Sequence, residues 1–280
     1  MTLRDLSADA SLCSLNTATV REQWDLRQMV DGCVRHGIGG ISPWRDKVQA
    51  AGVDEAARMI ADTDLAVTGL CRGGMFPAAD AAGRAAALDD NRRAVDEAVA
   101  IGAQCLVLVV GGIPEGTRDL VGARAQVEDG IGALLEYSRP AGMPLAIEPL
   151  HPMYAADRAC VNTMAQANDI CDRLGDDGLG IALDVYHVWW DPDLPAEIAR
   201  AGRKRILAFH VCDWLVPTTD LLLDRGMPGD GVIDIPAIRE QVEAVGYAGH
   251  CEVEILSTRW WHEDPDDVLA TVVERHKTVV

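Results

Sequence analysis

Eight times along this chain, a short apolar or β-branched run is followed by a longer segment of helical period. The runs read as buried strands over Ala10–Asn16, Gly39–Pro43, Ala66–Cys71, Cys105–Val110, Pro144–Pro149, Gly180–Val185, Arg205–Val211 and His250–Ile255. Between them, and after the last, helices are predicted over Trp24–His36, Asp54–Asp64, Ala85–Ile101, Leu120–Ser138, Asn162–Leu174, Leu194–Ala201, Ile235–Val245 and Pro265–His276. Gly37, Gly102, Gly142, Gly175, Gly202 and Gly246 each stand just past a predicted helix end, where a left-handed residue closes the last turn. An open doubly wound sheet would want a GxGxxG turn after its first strand, and none is present. No linker, low-complexity tract or charge block interrupts the alternation, so residues 1–280 are expected to form a single (β/α)₈ barrel domain of the α/β class.

Composition excludes several classes of function. The chain is 49% hydrophobic and 25% charged, enough apolar material for a large core. A net charge of −19 would repel nucleic-acid phosphates and an anionic membrane surface alike, so neither is an expected partner. No stretch reaches the roughly eighteen apolar residues of a membrane span, and Met1 to Asp9 lacks the apolar run of a signal peptide. The eight cysteines are scattered without a CxxC pair, which suits buried thiols in a reducing compartment. A cytoplasmic protein is expected.

Barrel chemistry gathers at the C-terminal ends of strands, and four consecutive predicted strands carry an ionisable residue there. The fifth runs Leu145-Ala146-Ile147-Glu148, the sixth Ile181-Ala182-Leu183-Asp184, the seventh Ala208-Phe209-His210 and the eighth Cys251-Glu252-Val253-Glu254. One such residue is ordinarily a satisfied buried polar group or half of an ion pair. Three carboxylates brought together repel unless a cation neutralises them. Three oxygens and one imidazole nitrogen suit a divalent metal, Mn²⁺ first, with Mg²⁺ or Co²⁺ as alternatives. Alternation puts Glu252 and Glu254 on the same face, and the pattern alone does not choose between them.

Four segments resemble the xylose-isomerase-like sugar isomerase and epimerase superfamily, nearest to its ketose 3-epimerases. They are Ile147-Glu148-Pro149-Leu150, Leu183-Asp184-Val185-Tyr186-His187, Phe209-His210, and Gly246-Tyr247-Ala248-Gly249 leading into Val253-Glu254. The resemblance implies metal ligands Glu148, Asp184, His210 and Glu254, and so selects Glu254 over Glu252. It implies substrate contacts from His187, three residues after the metal Asp, and from Arg225 in Arg225-Gly226-Met227-Pro228-Gly229-Asp230-Gly231. Two departures bear on the substrate. The segment from His210 to Arg225 is longer than in those epimerases, and Tyr154 stands where they carry a further Glu.

The function expected is isomerisation or epimerisation of a keto-sugar through an enediolate, with Glu148 and Glu254 as the acid and base. His151, Tyr154 and Trp214 are further candidates for substrate contact. Arg158 reads as a solvated loop residue. For Arg72, after the third strand, a salt bridge to one of the many acids is expected, and carboxylate or phosphate binding is the alternative. Trp44 and Trp214 are expected toward the pocket, and Trp260 and Trp261 toward an interface or a packed loop. No run of Lys and Arg marks a phosphate pocket, which favours a non-phosphorylated sugar. The rival reading is a lyase on the same scaffold, dehydrating a keto-inositol or keto-sugar or cleaving a 3-oxo-glycoside. A phosphodiesterase like the apurinic endonucleases is opposed by the net charge, and a non-catalytic sugar-binding protein would have no use for four aligned ligands. By analogy the chain is expected to form a homodimer or homotetramer.

Overall fold

The computed structural model describes residues 3–175 and 177–280. Its central sheet contains β1 (Cys13–Asn16), β2 (Gly40–Ser42), β3 (Ala66–Val67), β4 (Leu70–Gly74), β5 (Leu106–Val109), β6 (Leu145–Ile147), β7 (Leu179–Asp184) and β8 (Ile206–Val211). A two-residue pair follows, β9 (Asp213–Trp214) with β10 (Arg225–Gly226), and β11 (Cys251–Val253) completes the barrel. Around the barrel run α1 (Leu26–His36), α2 (Arg45–Ala51), α3 (Val53–Ala61), α4 (Ala81–Ala100), α5 (Leu120–Ser138), α6 (Met164–Leu174), the single turn α7 (Val185–Val188), α8 (Leu194–Arg205), α9 (Ile235–Ala244) and α10 (Pro265–Thr278).

The large sheet is parallel, with order β3-β2-β1-β11-β8-β7-β6-β5-β4. Its two outer members are successive pieces of one predicted strand. Thr68 N–H donates to the Ile41 carbonyl on one side, and Leu70 N–H donates to the Cys105 carbonyl on the other. That segment therefore changes neighbour within three residues and nearly closes the barrel. The expected strand over Ala66–Cys71 is corrected here: it breaks at Thr68-Gly69 and runs on to Gly74, so Arg72 lies inside β4 rather than after it.

Period two explains the core. Outward-facing residues such as Leu145, Ile147, Ile181, Leu183 and Phe209 pack with the helices in one large apolar cluster. Inward-facing residues are small: Cys71, Cys105, Val107, Ala146, Ala182 and Ala208 form a separate cluster inside the barrel. On α5 the buried positions Ala123, Val127, Ile131 and Leu135 recur every four residues, the stripe a helix presents to a sheet. Each large side chain so buried contributes about 1.5–3 kcal/mol relative to exposure.

Part of the acidic excess serves the helices. Asp25, Asp80, Asp119, Asp234 and Asp264 accept backbone N–H bonds at N-caps, and Asp25 forms a capping box with Gln28. All six helix-terminal glycines named from the sequence have positive φ; at Gly202 (φ 60°) the turn kinks α8 rather than ending it. All eight cysteines are buried. No helix among the described residues is long and apolar enough to cross a membrane.

Candidate functional site

Each of the four ionisable strand-end residues stands two positions beyond an inward-facing residue, so strand alternation aims it into the same end of the barrel. Glu148 follows Ala146 at β6, Asp184 follows Ala182 on β7, His210 follows Ala208 on β8, and Glu254 follows Glu252 at β11. Register then brings them side by side, with Asp184 opposite His210 and His210 opposite Glu252. One ligand atom from each of Glu148, Asp184, His210 and Glu254 lies within 4.8 Å of those of the other three. All four are buried, at 6%, 0%, 0% and 4% exposure.

Three carboxylates in such a space need positive charge. Arg225, 3% exposed, supplies some: its Nη1 donates to Asp184 Oδ2 at 2.8 Å and to Glu254 Oε2 at 3.0 Å. Burial pushes Asp184 up, but Arg225, His187 and His210 hold it below the ordinary carboxylate range. Glu254 goes the other way, because burial and then the charge of Glu148 outweigh Arg225 and lift it to about 7. Burial pulls His210 down, yet Glu252, Glu148 and Glu254 raise it well above the ordinary imidazole value. As an imidazolium, His210 donates from Nδ1 to Glu148 Oε1 at 3.0 Å.

The donor set fits a divalent cation. Three carboxylate oxygens and one imidazole nitrogen, buried within 4.8 Å of one another, are the oxygen-rich mixed set that suits such an ion. The cation would replace the proton that His210 and Glu148 share. The cluster could thus hold a divalent metal.

Behind it sits Glu252. Its carboxylate accepts from Asn16 Nδ2 and Thr68 Oγ1, both at 2.8 Å, and stands 3.4 Å from His210 Nε2. No hydrogen bond joins Glu252 to His210, and Glu252 acts through its charge, which favours the ring orientation with Nδ1 toward the other carboxylates, from the place of an outer carboxylate behind a ligating histidine. The sequence reading set Glu252 aside in favour of Glu254. The signal that could have assigned it was the same alternation that put both on one face.

Above the cluster opens a cavity of about 400 Å³. Of the expected substrate residues, His187, Arg225 and Tyr154 line it; His151 and Trp214 are not among the described residues that do. His187 is 3% exposed, and its Nε2 accepts from Arg225 Nη2 at 3.1 Å; burial pushes the imidazole down to about 3 and keeps it neutral. Tyr154 offers its ring, because its hydroxyl donates to the Leu221 carbonyl at 2.5 Å. Trp214 stacks on Tyr186 at 4.8 Å, and His151 sits between Trp214 and Trp190, in an aromatic cluster beside the cavity. Trp44 and Trp261 are the tryptophans on its wall, each with its indole N–H bonded inward, to Asn16 Oδ1 and to the Ala18 carbonyl. Arg72 and Arg158 line the cavity as well, and no ion pair from either is present among the described residues, contrary to the salt bridge expected for Arg72.

Over residues 30–277 the sequence matches the family described as xylose isomerase-like TIM barrel. The inosose isomerase of Bacillus velezensis is 27% identical over 154 residues, which are 52% of this chain and 52% of that protein. The 3-dehydroshikimate dehydratase of Pseudomonas aeruginosa is 29% identical over 162 residues, 54% of this chain and 23% of that protein. The aligned part thus spans about half the length of the isomerase. Among solved structures, protein SMc04130 from Sinorhizobium meliloti 1021 superposes with a TM-score of 0.94 at 59% identity, covering 96% of this chain and 98% of that one. From the near-closed parallel barrel, the ionisable cluster at its strand ends and the match over residues 30–277, the chain belongs to the xylose isomerase-like TIM barrel family.

Proposed function

We propose that this protein is a divalent-metal-dependent isomerase or epimerase of a keto-sugar, with Glu148 and Glu254 as its acid and base. The observation that carries the reading is the convergence of Glu148, Asp184, His210 and Glu254, of which Glu148 and Glu254 reach the wall of a sugar-sized cavity. A divalent cation held by Glu148, Asp184, His210 and Glu254, Mn²⁺ because three carboxylates with one imidazole suit it, would supply positive charge to a carbonyl oxygen and its neighbouring hydroxyl.

The side chains then divide the remaining work. Glu254, with its carboxyl lifted to about 7 in the metal-free site, is poised to take and return a proton on the carbon beside the carbonyl. Glu148, also on the cavity wall, is the second proton carrier. Exchange by the two on opposite faces of the carbon inverts it, giving epimerisation. One of them carrying the proton between adjacent carbons, while the hydroxyl proton passes to the former carbonyl oxygen and the new carbonyl forms where the hydroxyl stood, gives isomerisation. His187 Nδ1 and Arg225 Nε are buried donors without a protein partner among the described residues, and they are assigned to substrate oxygens. Trp44, Tyr154 and Trp261 supply ring surface to the sugar and exclude water.

The test is metal content of the purified protein, followed by incubation of the Mn²⁺ form with keto-sugars in D₂O under NMR. Deuterium entering beside a carbonyl supports the reading, and stoichiometric failure to bind metal refutes it. Glu254→Gln should abolish exchange while keeping the fold, as its circular-dichroism spectrum will show. A dehydratase is the second reading, supported by the relative of that name. The same proton removal beside a leaving group expels water, so an unsaturated product in place of an epimer would favour it.

A further inference from the structure

Four arginines widely separated in sequence, Arg21, Arg72, Arg158 and Arg225, reach the same cavity. Two of them have acidic partners: Arg21 pairs with Asp46 and Arg225 with Asp184 and Glu254. The guanidinium groups of Arg72 and Arg158 have no hydrogen bond or ion pair among the described residues, in a chain with 44 acidic residues against 25 basic ones. Both are partly buried. With acids in such excess, leaving two half-buried cations unmatched on one cavity wall calls for a ligand that matches them.

The backbone is shaped to put them there. On β4 the register runs from Cys71 opposite Val107 to Gly73 opposite Leu108, which makes Arg72 the extra residue of a β-bulge. Bulges re-aim side chains and recur beside active sites. Here the bulge takes Arg72 out of the barrel's in-and-out alternation and into the cavity. Arg158 is set by its own main chain: its N–H donates to the Tyr154 carbonyl, and its carbonyl accepts from Gly111 N–H. Its guanidinium lies 5.7 Å from the centre of the Tyr154 ring, itself on the cavity wall. The two charges feel one another, since burial first and Arg158 second lower the pKa of Arg72. Glu148 attracts Arg72 more weakly, and its carboxylate is already bonded to His210.

We infer that Arg72 and Arg158 form an anion subsite, so that the ligand of this cavity carries a carboxylate or phosphate in addition to its carbonyl and hydroxyl groups. Paired guanidiniums suit either anion, because each presents a planar fork of N–H donors to two oxygens. The inference names the substrate class within the proposed sugar site; it rests on that reading for the polyol part of the ligand and on the arginines alone for the charge.

The test uses three probes that share a six-carbon keto skeleton and differ at C6: D-fructose, D-fructuronate and D-fructose 6-phosphate. Each is titrated calorimetrically into the EDTA-treated full chain, wild type and Arg72→Gln/Arg158→Gln. At least one acidic probe should bind about tenfold or more tightly than fructose in the wild type, and this preference should disappear in the double variant. Which acid gains tells carboxylate from phosphate. The double substitution removes no ion pair, so the variant should keep its fold, as a circular-dichroism melt will verify. Equal binding of the three probes to the wild type, binding of none, or a preference undiminished in the variant would each overturn the inference. Repeating the titration with Mn²⁺ and D₂O separates it from the catalytic reading. An arginine-dependent preference without metal binding or exchange fails only the catalysis, and exchange on fructose without a charge preference fails only the subsite.

Discussion

Replacing Glu252 by Gln isolates one charge at the core of this site. Glu252 accepts from Asn16 Nδ2 and from Thr68 Oγ1. The Asn16 amide cannot turn over, because its Oδ1 already accepts from Trp44 Nε1 at 2.8 Å and from Ala18 N–H at 3.0 Å. A glutamine at 252 therefore points its oxygen at Asn16 and its amide N–H at Thr68. Thr68 then donates to Ser14 Oγ, 2.7 Å away, where either hydroxyl can be the donor. Residue 252 keeps both of its partners, but its second amide N–H and the Ser14 hydroxyl proton are left without an acceptor among the described residues, and the carboxylate charge 3.4 Å from His210 Nε2 disappears. His210 loses the strongest attraction acting against its burial, and its basicity as a ligand falls with it. Losing such an outer partner weakens metal binding by about 10- to 100-fold, roughly 1.4–2.7 kcal/mol. Stability of the metal-free protein in urea should fall by about 1–3 kcal/mol, because buried donors of the new amide and of Ser14 are left without acceptors. Glu252→Ala provides the contrast: it strands the Asn16 and Thr68 donors and should lose about 2–6 kcal/mol from those two groups together. The assay is calorimetric titration of Mn²⁺ into EDTA-treated protein beside urea unfolding. Wild-type Mn²⁺ affinity in Glu252→Gln would refute the orienting role.

Three more outcomes follow from the same geometry. Mn²⁺ affinity should fall as pH drops below about 7, because Glu254 becomes protonated there and His210 is already so. Titrations in two buffers of different ionisation heat should accordingly show more protons released at pH 6 than at pH 8. Arg225→Met removes the partner of Asp184 and Glu254 and should destabilise the metal-free fold by about 3–5 kcal/mol, with a smaller loss when Mn²⁺ is bound. Equal losses in urea unfolding of both forms would mean that the cation does not share those carboxylates. Ile131→Ala, at a fully buried position of the α5 stripe, should lower stability by about 2–5 kcal/mol without changing Mn²⁺ affinity.

The barrel and its metal-ligand candidates were legible because both depend on local period. Strand and helix repeats differ, and an acid ending an apolar run, as in Leu145-Ala146-Ile147-Glu148, is conspicuous on a line of text. The loop side chains were not legible in the same way. Trp214 and Trp261 both follow barrel strands, yet Trp214 stacks on Tyr186 while Trp261 faces the cavity, and nothing adjacent in sequence separates them. Likewise the β9–β10 pair, which carries Arg225 back over Asp184, is two residues long on each side, too short for a periodic signal.

What the chain determined by itself is the set of positions that lie inside the barrel and the four consecutive strand ends at which ionisable groups gather; between Glu252 and Glu254 on the last of them the pattern did not choose. What only the tertiary structure decided is how charges on different staves meet. Arg72 and Arg158 are distant along the chain, and one is delivered to the cavity by a single extra residue in β4. Glu252 gained its place behind His210 from strand register. Electrostatic neighbours on parallel strands are fixed by hydrogen-bond register and closure of the sheet, and those are properties of the folded barrel as a whole.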